Sequence, residues 1–232
     1  MTPVQPARRW LGITLWALCA LLPVVGSGAH ARSGDHVLSI AEARGLPLGT
    51  VVTVEGLVST PSGAFESSHG DKGFGVQDSS AGIYVSLPID IGVAPGRRAT
   101  PRVRVLGTLT NSFGLLMLVP TDAAAVTRRG SGRRVRPEWA ATGRVGKATE
   151  GRIIRVVGRI TEGPASDLPY GFKLFIDDGS GKTQIFVNVQ TGIDVRGLSV
   201  GDLVSVTGFS GQFETQAEVE PRRPEDITRP AR

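Results

Sequence analysis

A hairpin pattern that occurs twice constrains this sequence more than any other feature. The first copy spans residues 73–85 and the second spans residues 174–187. In each copy, apolar side chains alternate along two short runs, and a turn rich in Asp, Ser and Gly separates the runs. Alternation with a period of two predicts strands, and such a turn predicts a hairpin, because Asp and Ser bond their own backbone and Gly accepts positive φ. A hairpin repeated at this spacing predicts a duplicated domain.

The sequence around the two hairpins repeats in the same order. Each copy has an apolar strand broken by one glycine before the hairpin and two further strands after it, and the glycines predict bends or bulges. The matching sets are Val52, Val54, Gly56 and Val58 with Ile154, Val156, Gly158 and Ile160; Val103, Val105 and Gly107 with Val204, Val206 and Gly208; and Leu116, Leu118 and Pro120 with Ala217, Val219 and Pro221. We predict an all-β fold of two tandem five-stranded Greek-key barrels, because closing the sheet removes its exposed edges.

Each barrel is predicted to begin with a short lead-in helix. Ser39 and Glu42 form a capping-box pattern, which predicts a helix over 40–45. In the second copy, residues 137–141 occupy the same place and are predicted to be helical. The predicted domains are therefore a first barrel at 38–127, an arginine-rich linker at 128–136 and a second barrel at 137–228.

The N-terminal residues 1–31 have the pattern of a cleaved signal peptide. Arg8 and Arg9 precede an apolar run over 10–25, and a small-x-small site follows at 29–31. An uncleaved anchor is the competing interpretation, but the run is short for a span of about 20 residues. Cys19 is the single cysteine, so the mature chain holds no disulfide. We expect a periplasmic or secreted protein with no membrane segment after cleavage.

The net charge of +5 is concentrated in the predicted linker. Residues 37–127 carry 6 basic and 7 acidic side chains, and residues 137–232 carry 12 and 13, so each half is at −1. The segment 128–136 holds five arginines and no acid. It could contact nucleic acid or an anionic membrane surface, and the competing interpretation is a solvated tether.

Both halves resemble OB-fold domains, in particular the kind that bacteria export. That kind has the pattern V-x-V-x-G-x-V, then F-x-V-Q-D-x-x-x-G-I-Y-V, then V-x-V-x-G, which this chain supplies at 52–58, 74–85 and 103–107, with a looser second copy. The resemblance implies tandem OB-like barrels. OB-folds bind oligonucleotides and oligosaccharides across the face of their second and third strands.

Strand parity places several aromatic and basic side chains outside the two cores. If Ile83 and Val85 point inward, Tyr84 points outward, and Phe186 is expected to occupy the equivalent outward position in the second copy. Such rings stack on bases while neighbouring cations meet phosphates. The candidate nucleic-acid-binding residues are Tyr84, Arg155, Arg159, Lys173, Phe175 and Phe186. The competing interpretation is that these rings pack under loops or against the other barrel.

The residues outside this face carry no recognisable catalytic or metal-binding pattern. No nucleophile elbow or phosphate loop is present, and His69 with Asp71 is too small a set for a four-ligand metal site. We therefore expect no cofactor, no metal and no enzymatic activity. The leading hypothesis is an exported binding protein for single-stranded nucleic acid or another extended polyanion. The alternative is an interaction or sensory module that binds an envelope protein or a small extracellular ligand, and no nucleic acid.

Overall fold

The computed structural model describes residues 36–230, and the predicted signal peptide lies outside them. Two seven-stranded sheets of identical strand order account for most of the described residues. No helix in this part of the chain is long and apolar enough to cross a membrane.

The first sheet closes into a five-stranded barrel. Its strands are β1 (Val37–Leu38), β2 (Val51–Val58), β3 (Phe74–Gln77), β4 (Gly82–Val85), β5 (Thr100–Ser112), β6 (Leu115–Val119) and β7 (Val126–Gly132). The order is β1-β2-β3-β4-β6-β5-β7, and an additional pairing of β2 with β5 closes the barrel. Helix α1 (Ile40–Arg44) precedes β2, and a one-turn helix α2 (Glu66–His69) lies between β2 and β3. The closed order β2-β3-β4-β6-β5 is that of an OB-fold.

The second sheet repeats this architecture strand for strand. Its strands are β8 (Glu138–Trp139), β9 (Ile153–Asp167), β10 (Gly171–Asp177), β11 (Thr183–Asn188), β12 (Leu203–Phe213), β13 (Gln216–Glu220) and β14 (Ile227–Thr228). The barrel β9-β10-β11-β13-β12 closes through β12 and β9. The closing register pairs Val54 with Val105 in one barrel and Val156 with Val206 in the other. The predicted correspondence of these strands is therefore confirmed.

The matching glycines Gly56 in β2 and Gly158 in β9 allow a close approach of the next strand, which is β3 in the first barrel and β10 in the second. A Cβ on Gly56 would come within 2.6 Å of the Val76 side chain, and a Cβ on Gly158 within 2.9 Å of the Asp177 backbone. The pairing of β2 with β5 runs through Gly56 without a register shift. Of the predicted bulge or bend, the pairing with β5 shows no bulge at Gly56, and the glycine allows a close approach of the neighbouring strand.

The lead-in helix is present in the first copy only. Helix α1 has the predicted capping box between Ser39 and Glu42. In the second copy the predicted helix over 137–141 is wrong, because β8 pairs in parallel with β9 and keeps this segment extended. A single 3-10 turn, Thr142–Arg144, follows it.

The predicted linker at 128–136 also requires correction. Its first residues belong to β7, which pairs with β5 and aligns Arg128 with Val103. The segment is therefore fixed to the first barrel at its start and is not a free tether there. Sequence reasoning missed this strand because its side chains show no apolar alternation.

A third apolar cluster joins the two barrels. From the first barrel it contains Ala64, Phe65, Tyr84, Leu115 and Met117, and from the second it contains Ile153 and Phe209. The Phe209 ring lies 5.8 Å from that of Phe65 and 5.9 Å from that of Tyr84. The described residues 36–230 accordingly belong to one compact unit.

Candidate functional site

Tyr84 lies between the barrels and has no exposed surface. Its hydroxyl donates a 2.7 Å hydrogen bond to Asp71, and its ring packs 4.4 Å from that of His69. The prediction of an exposed Tyr84 that stacks on bases is therefore wrong. The side chain does leave its own core, but it enters the junction with the second barrel.

Phe186 is not the structural equivalent of Tyr84. Strand β2 pairs Val58 with Val76 and strand β9 pairs Ile160 with Ile176, so the two hairpins match at Val76 and Ile176. From this match, the hairpin registers place Gln184 at the position equivalent to Tyr84. The Phe186 side chain is 5% exposed. It forms part of a cleft wall beside Lys173, whose ammonium lies 5.8 Å from the ring centroid. The expectation of a freely exposed ring at this position is corrected accordingly.

The remaining predicted residues lie in separate local arrangements. Lys173 and Phe175 share the outer face of β10, but Phe175 sits beneath the ammonium of Lys182, 4.9 Å away. Arg155 donates to the Thr207 hydroxyl at 3.0 Å, and Arg159 donates to a backbone carbonyl at 3.0 Å. The predicted residues therefore do not form one continuous binding patch.

A cleft of about 680 Å³ opens where the two barrels meet. One wall comes from the end of α2 and from Phe113 at the β5–β6 turn. The other comes from the β9–β10 turn, the outer face of β10 and β11, and the β12–β13 turn. In a single OB-fold, the corresponding strands and turns form the ligand-binding face.

The charges in the cleft largely cancel one another or are neutralised by burial. The Lys173 ammonium lies 2.8 Å from the Asp167 carboxylate. Burial, reinforced by neighbouring Glu220, raises the pKa of Glu218 to about 8, and its carboxyl accepts a 2.7 Å hydrogen bond from Gln184. At neutral pH this carboxyl is mostly protonated. The cleft therefore has no surplus of positive charge.

A buried polar network connects the cleft to the junction. Asn188 accepts hydrogen bonds from Ser67 and Ser68 in the first barrel and donates to Glu220 at 2.9 Å in its own. The second Glu220 oxygen lies 3.3 Å from Nε2 of His69, and neither atom has a hydrogen bond within the described residues. Sequence reasoning missed this network, because its members come from segments that lie far apart along the chain.

The densest run of exposed basic residues lies elsewhere, on β7 and the segment after it. We call it the arginine surface, and it consists of Arg128, Arg129, Arg133, Arg134 and Arg136. All five side chains are exposed, and none forms an ion pair with a described residue. By contrast, Arg102 and Arg104 on neighbouring β5 both approach Glu55, at 3.9 and 3.1 Å.

Trp139 follows the arginine surface along the chain and is 71% exposed. The Arg155 guanidinium lies 5.4 Å from its ring centroid, in a cation–π contact. One face of the ring is therefore supported by a cation, and much of the remaining ring surface is free. Sequence reasoning placed Trp139 in a helix and did not consider it as a binding residue.

Within residues 36–230, no group of three or more His, Cys, Asp or Glu side chains is arranged to hold a metal ion.

Comparisons with known proteins identify similar structures but no family. No family model matches the chain, and no curated protein matches it. Among solved structures, a murine DNA-binding protein bound to double-stranded DNA is 11% identical, with 78% of this chain and 97% of that chain covered at a TM-score of 0.39. The tetrameric p202 HIN2 structure is 12% identical, with 75% and 88% covered at a TM-score of 0.36. Because these similarities are weak, we identify both barrels as OB-like from the strand order of this chain alone.

Proposed function

We propose that the protein is an exported, non-enzymatic binding protein that holds single-stranded nucleic acid, or another extended polyanion, along the arginine surface. The observation that carries this proposal is the set of five exposed arginines with no ion pair in the described chain. Unpaired cations neutralise phosphates and release counterions on binding, which favours association. An arginine already paired with a carboxylate contributes much less.

Trp139 extends the arginine surface with a platform for a base. Its ring is largely exposed, and the Arg155 guanidinium packs against it. Stacking on such a ring requires a base with a free face, which single strands offer and a continuous duplex does not. The combination of cations and one exposed ring therefore favours a single strand.

The cleft is less suited to a polyanion than the arginine surface. Its cation Lys173 is paired with Asp167, and the exposed acid Glu214 lies in its lining. We accordingly place the nucleic-acid contact away from Lys173 and Phe186, which the sequence had favoured. Of the residues predicted from sequence, Arg155 remains part of the proposed interface.

A fluorescence anisotropy titration with a labelled oligothymidylate at several salt concentrations tests this proposal. Changing all five residues of the arginine surface to Gln should weaken binding and flatten its salt dependence. The magnitude of the slope of log K against log salt should decrease by about 0.7 for each phosphate that is no longer neutralised. Arg196→Gln is the matched control, because Arg196 is exposed but bound to Asp194 at 2.7 Å. Equal binding by the five-fold variant and the native protein would overturn the proposal.

Export is part of the proposal and rests on the basic and apolar pattern of residues 8–31. We expect the mature chain to begin at Arg32. N-terminal sequencing of protein recovered from the cell envelope or the medium tests this. Recovery of a chain that still begins at Met1 would contradict it.

A further inference from the structure

Several apolar side chains at one end of the first barrel are exposed to solvent. They are Leu46, Leu48, Val51 and Leu106, which are 39%, 59%, 46% and 39% exposed, and we call them the apolar patch. The first two lie in the loop between α1 and β2, and Leu106 shares the outer face of the β2–β5 pair with Val51. Residues 45–51 carry no charge. Exposed apolar side chains that cluster in this way are typical of interaction surfaces.

The same end of the second barrel is an interface. The equivalent of Val51 there is Ile153, which is fully buried in the cluster between the barrels. The backbone before these two residues is the same, because the Gly49 amide donates to a β5 carbonyl at 2.8 Å and the Gly151 amide donates to a β12 carbonyl at 2.8 Å. Both glycines have positive φ, of +85° and +83°. The two barrels therefore present equivalent surfaces, and the second barrel uses its surface to bind the first.

The two equivalent surfaces differ in what covers them. A Cβ on Gly151 would lie 2.3 Å from the Gly82 carbonyl oxygen of the first barrel, whereas a Cβ on Gly49 would have no described atom within 4 Å. Thr207 in the second barrel is 6% exposed, and its equivalent Leu106 is 39% exposed. The first barrel therefore leaves open, with apolar side chains, a surface that the second barrel buries.

The face on which Ile153 packs is apolar in the first barrel and polar in the second. In the first barrel it holds Tyr84 and Met117, and both are buried in the cluster between the barrels. In the second barrel the equivalent pair is Gln184 and Glu218, which have the same register. Copies docked head to tail would set the apolar patch against these polar groups and gain little from apolar burial. The arrangement inside one chain is therefore not one that continues from copy to copy.

We propose that two copies of this chain form a dimer in which the apolar patch of one copy packs on the apolar patch of the other. Such a two-fold contact is closed, so assembly stops at the dimer. Because residues 45–51 are uncharged, the contact brings no like charges together there. Four side chains per copy form a small interface, so the dimer should be weak and concentration-dependent. This inference is independent of the proposed nucleic-acid function, because it uses no residue of the arginine surface.

Sedimentation velocity of the mature protein, from low micromolar to submillimolar concentrations, tests the inference. We expect an equilibrium between monomer and dimer and no larger species. A protein that stays monomeric throughout, or one that forms a continuous series of larger species, would overturn the inference. Flotation with phosphatidylcholine vesicles tests the other occupant of an apolar surface. A monomeric protein that binds these vesicles through Leu48 would assign the apolar patch to a lipid surface and overturn the dimer.

A charge placed on the apolar patch locates the interface. Leu48→Glu and Leu48→Lys should each weaken the dimer by about tenfold or more, because an unpaired charge would be buried. An equimolar mixture of the two variants should recover the dimer, because opposite charges then meet across the contact. Leu48 lies in a loop and is 59% exposed, so neither substitution leaves a core cavity. If urea denaturation shows that either variant is destabilised, Leu48→Ser provides the test. A mixture that remains monomeric would overturn the two-fold arrangement.

The matched control is a second exposed apolar pair, at the mouth of the cleft. Phe113 and Phe213 are 65% and 46% exposed, and their rings stack with centroids 5.3 Å apart. We call them the ring pair, and the ring-pair variant carries Phe113→Asn, which suits the positive φ there, and Phe213→Ala. This variant and the five-fold arginine variant should dimerise as the native protein does. Loss of the dimer in the ring-pair variant, or an unchanged dimer in folded Leu48→Glu, would overturn the inference.

Discussion

The arginine surface and the cleft are opposite in character, although both belong to the same pair of OB-like barrels. The arginine surface has five exposed cations, no acidic partner in the described chain and one exposed ring next to it, Trp139. The cleft has several rings, and its one ammonium is paired with Asp167. Positive charge and aromatic surface are therefore largely separated in this molecule.

This separation teaches that an OB topology alone does not assign a ligand. A single-strand binding face combines cations that follow the backbone with rings that stack on bases. Here the face formed by β10 and β11 has rings but no unpaired cation among the described residues. The arginine surface lies on β7 and the segment after it, outside the five barrel strands. Binding residues therefore have to be inferred from charge pairing and exposure, in addition to strand position.

The largest expected effect comes from a substitution at the junction between the two barrels, where the cleft lies. Phe209 is fully buried between the barrels, so Phe209→Ala should lower the free energy of unfolding by about 3–5 kcal/mol in urea denaturation. Below its unfolding transition, the variant should still bind oligothymidylate, because β7 pairs only within the first sheet. Phe213→Ala, on the same strand but exposed, should cost under about 0.5 kcal/mol. A Phe209→Ala variant that loses as little stability as Phe213→Ala would show that Phe209 does not support the junction.

The next largest effect is a dependence of folding stability on pH, which arises from Glu218 in the cleft. The folded state raises the pKa of Glu218 from 4.5 to about 8, because burial disfavours the charged carboxylate. The folded protein then binds more protons than the unfolded chain between these values, so stability should fall as pH rises from about 5 to about 8. The decrease should be on the order of a few kcal/mol and should diminish in Glu218→Gln.

Urea midpoints at the two ends of this pH range measure the effect. Glu214→Gln changes an exposed acid on the neighbouring turn and should retain the native pH dependence. A Glu218→Gln protein that loses stability with pH as steeply as the native protein would contradict the assignment. Over the same range, Glu218→Gln and the native protein should bind oligothymidylate alike.

A smaller effect tests whether Trp139 contributes to binding next to the arginine surface. Trp139→Ala should weaken oligothymidylate binding by about 1–3 kcal/mol, measured by anisotropy, because the substitution removes a stacking platform. Its salt slope should stay unchanged, since the substitution removes no cation. Stability should change little, because the Trp139 ring is 71% exposed. Native affinity in the variant would remove Trp139 from the proposed interface.

The smallest expected effect concerns a basic residue that is already paired. Arg104→Gln should leave oligothymidylate affinity within about twofold, because Arg104 lies on β5, next to β7, but contacts Glu55 at 3.1 Å. The same anisotropy titration measures it. A decrease as large as that from a residue of the arginine surface would show that pairing does not distinguish these arginines.

Local patterns were sufficient to predict the strands of both barrels. Alternation around Gly56 and Gly158 located β2 and β9, and the closing registers agree between the two copies. The capping box at Ser39 and Glu42 located α1 for the same reason, since its signal lies within four residues. These elements depend on neighbours in sequence, which the sequence displays directly.

The features that were missed depend on contacts between distant segments. Tyr84 is outside its own core, as parity predicted, but His69 of its own barrel and Phe209 of the other barrel cover it. The strand β7 forms against β5 without any apolar alternation of its own. The equivalence of Tyr84 with Gln184 follows from strand register, which an alignment of apolar residues alone did not fix.

The separation of the arginine surface from the cleft is tested most directly by a paired salt titration of oligothymidylate binding. The five-fold arginine variant and the ring-pair variant are compared with the native protein over the same salt concentrations. We predict that the arginine variant has a lower affinity and a salt slope reduced by up to about 3.5, at about 0.7 for each phosphate that is no longer neutralised. The ring-pair variant should match the native protein. Native salt dependence in the arginine variant, with binding abolished in the ring-pair variant, would contradict this separation.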